Sequence, residues 1–279
     1  MFRKLCILSI ILAACLTLLG APAHAQDFPI RKLESAHHWL DRPLGRDANR
    51  RAAQGYPYGW HRNQRSPIHH GVDMPNAHGT PVLAAAEGTV YYAGDDQARV
   101  FGAKANFYGN LIVLQHDFEA PEGGRVFTLY GHLSRIDVQT GQRVARGERI
   151  GAVGATGIAL GDHLHFEVRV GNPDDYFAVR NPELWYAPLR GTGTLIGRLL
   201  NADGSKALGV RVTLSAATFA LYTFTYADPS LPSDPALDEN FSLADLPAGC
   251  YSLRVRGTPL DVPFCLRAGE TLFIEARLP

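Results

Sequence analysis

Three short stretches gather side chains that bind metals or move protons: Ile68-His69-His70-Gly71-Val72-Asp73, Leu129-Tyr130-Gly131-His132-Leu133-Ser134 and Gly161-Asp162-His163-Leu164-His165-Phe166-Glu167. Imidazoles and carboxylates in this number suit a hydrolytic zinc ion, which takes three protein ligands from His and carboxylate and keeps a fourth position for water. The third stretch alternates from His163 to Val170, so on a strand His163, His165, Glu167 and Arg169 share one face, and Leu164, Phe166, Val168 and Val170 the other. Two imidazoles on one strand face stand about 7 Å apart by the strand rise. They can then serve one site in different roles, one on a metal and the other toward the water beside it. Each piece alone has a plainer reading: a surface or core His pair, a solvated His69-His70 loop, a turn at His132. Jointly, with Asp73 and glycines around all three, they favour a zinc site.

Such side chains need a scaffold, and the composition points to short strands. With 28 Gly and 18 Pro among 279 residues, long helices are disfavoured and an all-β chain of strands joined by tight turns is expected. Strand-like runs fall at Thr80–Ala84, Thr89–Ala93, Asn110–His116, Arg125–Tyr130 and His163–Val170. Gly191-Thr192-Gly193-Thr194 reads as a linker, after which a second β-rich block runs through Leu195–Leu200, Val210–Ser215, Phe241–Leu243, Tyr251–Val255 and Thr271–Leu278. The expected organisation is an export signal over 1–25, a polar lead-in over 26–54 with a short helical pattern around Leu33 to Leu40, a first domain over 55–190 and a second over 194–279.

The signal reading rests on Arg3 and Lys4, an apolar run from Leu5 to Leu19, and Ala23-His24-Ala25 as a small-x-small cleavage pattern. The run is shorter than the roughly 20 residues a spanning helix needs, so no stable membrane span is expected. A lipid anchor at Cys15 is the minor alternative, disfavoured because Leu16 to Leu19 stay apolar. After cleavage Cys250 and Cys265 remain as an even pair in an oxidising compartment, and a disulfide is favoured over two buried thiols. The 27 basic and 27 acidic residues cancel, so no global field draws the chain to nucleic acid.

Residues 55–188 resemble the lysostaphin-type, or LytM-like, zinc metallopeptidases that cut peptides of bacterial cell walls. The likeness rests on His69-His70-Gly71-Val72-Asp73, Gly79 to Val82, Ala86 to Val90, Tyr130 to Leu133, Gly141 to Gly147, His163 to Glu167 and Asn181-Pro182. It implies a LytM-like antiparallel β-sheet peptidase domain in which His69, Asp73 and His165 bind one zinc ion, and His132 and His163 are the catalytic histidines. In this reading His163 takes the proton of the attacking water and His132 donates to the developing oxyanion. His70 occupies the motif's variable position and is left out of the ligand set. Glu167 or Asp162 is expected to orient a ligand imidazole or tune His163, and an insertion around Asp95 to Asn106 to shape the groove wall.

The second block resembles carboxypeptidase-regulatory-like, transthyretin-like β-sandwiches, mainly through Leu246-Pro247-Ala248-Gly249-Cys250-Tyr251. It carries no His, so it is expected either to stabilise or to bind wall or partner. Together the readings imply a periplasmic or secreted zinc endopeptidase acting on peptidoglycan peptides. The alternative is a non-catalytic LytM-like module that activates a separate cell-wall amidase; the presence of all five site residues favours the enzyme. Their position before the site suggests that residues 26–50 serve as a latency segment over the groove.

Overall fold

The computed structural model describes residues 29–33 and 38–279, so the expected signal over 1–25 and residues 34–37 of the helical pattern lie outside the described residues. Leu33 and residues 38–40 of that pattern are not helical. The strands are β1 (Ile30–Lys32), β2 (Val72–Pro75), β3 (Pro81–Leu83), β4 (Gly88–Asp95), β5 (Asn110–Glu119), β6 (Arg125–Gly131), β7 (Arg135–Ile136), β8 (Arg143–Val144) and β9 (Arg149–Ala152). They continue with β10 (His163–Val170), β11 (Val179–Arg180), β12 (Thr192–Leu200), β13 (Arg211–Ser215), β14 (Ala220–Phe224), β15 (Phe241–Pro247), β16 (Gly249–Val255), β17 (Asp261–Leu266) and β18 (Thr271–Arg277). Among the described residues one 3-10 turn, Pro182–Leu184, is the only helical element, and the molecule is all-β.

The first sheet runs β11-β10-β6-β5-β4-β8, and β2 joins it along the first half of β10. Its register assembles the chemistry: Asp73 of β2 and Gly131 of β6 stand opposite His165 on its two sides. The apolar face of β10 explains why this strand is central, since Leu164, Phe166 and Val168 are fully buried with Val72, Met74, Leu114, Tyr130 and Trp185. Burial of this kind gives roughly 1.5–3 kcal/mol per large side chain, so a one-residue slip that turned the imidazoles inward is strongly opposed. Gly71 lets the loop before β2 pass against β10, because a Cβ there would meet the Phe166 carbonyl oxygen at 2.4 Å. A small three-stranded sheet, β3-β9-β7, completes the first unit.

Two four-stranded sheets, β1-β18-β12-β15 and β14-β13-β16-β17, face each other across a second core that includes Leu195, Phe241 and Ile274 from one and Leu214, Leu253 and Phe264 from the other. Cys250 and Cys265 are direct cross-strand partners on β16 and β17 and are joined as a disulfide. The linker expected at Gly191–Thr194 is instead the start of β12. Thr192 and Thr194 enter the ladder, and bare Gly193 admits the Glu270 carbonyl to within 2.6 Å of where a Cβ would sit.

The described lead-in is stitched between the two units. β1 pairs with β18, Leu40 bridges to Tyr186, Leu44 bridges to Val82, and buried Arg42 reaches Asp245 at 2.7 Å. Further contacts cross the same boundary: Asn181 donates to Tyr226 and Ser242, at 3.0 and 2.7 Å, and Trp60 stacks on Phe224 at 3.9 Å.

Candidate metal centre and groove

The polar face of β10 opens into a groove of about 390 Å³. His69, Asp73 and His165 meet at its floor. His69 Nε2 lies 3.1 Å from Asp73 Oδ1 and 3.3 Å from His165 Nδ1, and His165 Nδ1 lies 2.9 Å from Asp73 Oδ1. What the other ring nitrogens do decides the character of this trio. His69 Nδ1–H donates to the Tyr56 carbonyl at 2.6 Å, and His165 Nε2–H donates to Glu167 Oε1 at 3.0 Å. Both rings therefore turn their second nitrogen toward Asp73, and three atoms able to ligate a metal converge there. Unit bonds of about 2.0–2.1 Å in tetrahedral geometry give ligand separations of about 3.3 Å, so the trio fits one face of a zinc tetrahedron with its tautomers already set by outer partners.

Electrostatics point the same way. Burial pulls His165 down, but the carboxylates of Asp73 and Glu167 outweigh it and hold its pKa at about 9. Burial raises Asp73, and the two facing imidazoles more than reverse this, holding its carboxyl well below the usual range. The floor attracts a cation. Behind it Glu167 is wholly enclosed; burial would raise it, yet Arg169 and His165 bring it to about 2. Arg169 donates to Glu167 Oε2 and to the carbonyls of Pro173 and Phe101, at 2.8, 2.8 and 3.0 Å. Tyr108 adds a hydroxyl bond to Glu167.

His132 and His163 flank the trio, their ring centroids 4.8 Å apart. β6 ends at Gly131, and His132 takes φ 61°, a left-handed turn that swings its ring into the groove. Its Nδ1–H donates to the Thr156 carbonyl at 2.8 Å, and that of His163 to the Gly161 carbonyl at 2.7 Å. Both rings thus show Nε2 to the groove, that of His163 at 3.5 Å from Asp73 Oδ1. Burial first, and then His165 and His163, push His132 down to about 3, so its ring is neutral.

All five residues singled out from the sequence converge on one groove; His70 also lines it, but outside the trio, with its Nδ1–H on the Tyr176 carbonyl at 2.8 Å. Asp162 does not reach His163; its carboxylate pairs with exposed His78 at 3.0 Å. The insertion acts from behind rather than as a wall. Buried Asp96 accepts the backbone N–H groups of Phe107, Tyr108 and Gly109, and Phe101 caps Arg169. The described residues of 26–50 do not line the groove, so they give no support to a latency role. Tyr56, Tyr108, Thr156 and Arg169 were not assigned from sequence; only Arg169 carried a signal, its place on the polar face of β10.

Three potential metal donors and two further imidazoles gather at the groove floor, a set that a zinc ion could use. Residues 67–176 match the profile of peptidase family M23. The chain is 40% identical over 118 residues to an uncharacterized metalloprotease of Haemophilus influenzae, spanning 39% of this chain and 21% of that protein. It is 34% identical over 141 residues to the peptidoglycan DD-endopeptidase ShyA of Vibrio cholerae, spanning 50% of this chain and 29% of that protein. Among solved structures, the catalytic domain of the M23 protein EnpA from Enterococcus faecalis aligns with 51% of this chain and 95% of its own, at 25% identity and TM-score 0.40. The chain thus spans under a third of the length of these two relatives.

Proposed function

We propose that the protein is an exported zinc endopeptidase that hydrolyses peptide bonds of bacterial peptidoglycan. The observation that carries this reading is the convergence of the ligand atoms of His69, Asp73 and His165, with the remaining nitrogens of both rings committed elsewhere. When bound there, zinc supplies Lewis acidity and a water acidified toward pH 7.

The chain's own residues supply proton transfer and orientation. His163 Nε2 is placed to accept the proton of the attacking water, its Nδ1–H held by Gly161. His132, neutral and with Nδ1–H bonded to Thr156, offers Nε2 as a base. The proton that His163 takes from the water passes to the leaving amine as the C–N bond breaks, and His132 Nε2 accepts a hydrogen bond at the same groove floor. Glu167, Arg169 and Tyr108 fix the His165 ring. The names of the relatives support a wall peptide as substrate, and the disulfide and the signal-like start support export to the periplasm or beyond; among the described residues no helix is long and apolar enough to cross a membrane. We assign the C-terminal sheets a supporting role, carried by the Trp60–Phe224 stack beneath the groove wall.

Completeness of the donor set favours the enzyme over an amidase activator. The test is incubation of the zinc-loaded chain with purified sacculi beside a His165→Ala control. Muropeptide release by the wild type alone is expected. No release, with stimulation of an added amidase, overturns the enzymatic reading.

A further inference from the structure

The two walls of the groove differ in chemistry. One is the apolar loop Ile158-Ala159-Leu160-Gly161, with Leu160 91% exposed. The other, from Tyr56 to Ser66, brings two cations, Arg62 and Arg65, to the rim.

The cationic wall is built rather than loose. Its base is clamped to the site by Gly59 N–H on the His69 carbonyl at 2.8 Å and His69 N–H on the Trp60 carbonyl at 2.9 Å, and Trp60 is stacked on Phe224. Its tip takes three consecutive positive φ values, 47° at Arg62, 56° at Asn63 and 63° at Gln64. L residues hold such a run only where surrounding contacts impose it. Here His61 does so, accepting from Gln64 N–H on Nδ1 and from Ser66 N–H on its carbonyl, at 3.1 and 3.2 Å. The Arg62 guanidinium lies 4.5 Å from the Tyr56 ring centre, and that ring stacks on His69 at 4.0 Å. A fixed cation thus stands one ring beyond a floor residue.

The charges in the groove do not cancel. Asp73 lies between His69 and His165, Glu167 pairs with Arg169, and Asp162 pairs with His78. Neither Arg62 nor Arg65 has an ion-pair partner among the described residues. Guanidinium groups match carboxylates in a planar, forked geometry, and bonds between such charged partners are about twice as strong as neutral ones.

We propose that Arg62 and Arg65 form a subsite for a free carboxylate of the peptide substrate, so that the groove prefers acidic peptides to their amidated forms. The subsite rests on the peptidase reading only for the turnover of what it binds.

The test uses a matched pair of cross-linked wall peptides, one with free carboxyl groups and one with those groups amidated, and the zinc-loaded full chain. The expected kcat/KM favours the acid by about tenfold or more. In Arg62→Gln/Arg65→Gln the ratio falls toward one through a higher KM for the acid, and Arg62→Lys keeps part of it because the cation stays while the fork is lost. Calorimetric binding of the same pair to the His165→Ala chain reads the preference without turnover. Equal binding and equal cleavage of acid and amide, or a preference untouched by both arginine changes, overturns the subsite and leaves the peptidase reading standing. Acid preference in binding with no cleavage by wild type keeps the subsite and removes the peptidase reading.

Discussion

Strands β10 and β17 each contribute to an Arg–carboxylate pair, at nearly the same distance. Glu167 and Arg169 of β10 meet at 2.7 Å with both side chains wholly enclosed. Asp261 of β17 meets Arg254 at 2.8 Å with both about half exposed. On β17 burial alternates, with Val262, Phe264 and Leu266 in and Asp261, Pro263 and Cys265 out. On β10 the polar face is buried as well, because β2, the Tyr108 segment and the groove loops close over it. β17 is therefore an ordinary edge strand in one unit, and β10 the floor of a groove in the other. The difference lies in whether anything covers the polar side.

Breaking the covered face should have the largest effect. His165→Ala is expected to remove zinc from the isolated chain and to lower muropeptide release by about 10³-fold or more, as loss of a group on which the whole reaction depends does. Next comes the enclosed pair. Arg169→Met leaves the Glu167 carboxylate buried without its cation, which costs about 3–5 kcal/mol in a chemical melt. It should also weaken zinc binding by about 10–100-fold in a competition titration, because His165 loses the group that orients it. The disulfide separates the two units in the opposite sense: Cys250 and Cys265 are 15 residues apart. Replacing both with Ala is expected to cost about 3 kcal/mol by the loop-closure argument while zinc affinity stays at the wild-type value.

Two buried groups give stability opposite slopes with pH. Burial lowers His116 to about 4, so the unfolded chain binds its proton first and stability falls as pH drops from 6.5 to 4. Burial raises Glu239 to about 8, so the folded chain binds the proton more tightly, and stability falls as pH rises from 4.5 to 8. Thermal melts across this range should show His116→Gln flattening the acid arm and Glu239→Gln the alkaline arm. The smallest effect belongs to the exposed pair: Arg254→Met should change stability by about 0–1 kcal/mol, decreasing further in salt. A loss as large as that of Arg169→Met would break the contrast between the two strands.

The sequence made the floor legible because its information is local. Period-two alternation assigns the faces of β10, and His69 and Asp73 fall within one short segment of the sequence. The outer partners were not legible. Tyr56 acts through its backbone carbonyl, Thr156 likewise, and Tyr108 meets Glu167 across 59 residues of chain. No residue type announces such contacts. β2 was missed because Val72–Pro75 is only four residues long and gains its order from pairing with β10. The linker reading of Gly191–Thr194 failed for the converse reason: glycine there serves a close strand approach instead of a turn.

The central claim, that the covered face of β10 holds a single zinc ion, is tested most directly by anomalous diffraction at the zinc edge from crystals of the chain grown with one equivalent of zinc. The expected result is one peak bonded to His69 Nε2, the Asp73 carboxylate and His165 Nδ1, with His132 and His163 outside the ligand set. A peak on His78 and Asp162, a peak on His132 and His163, or no peak at all would contradict it.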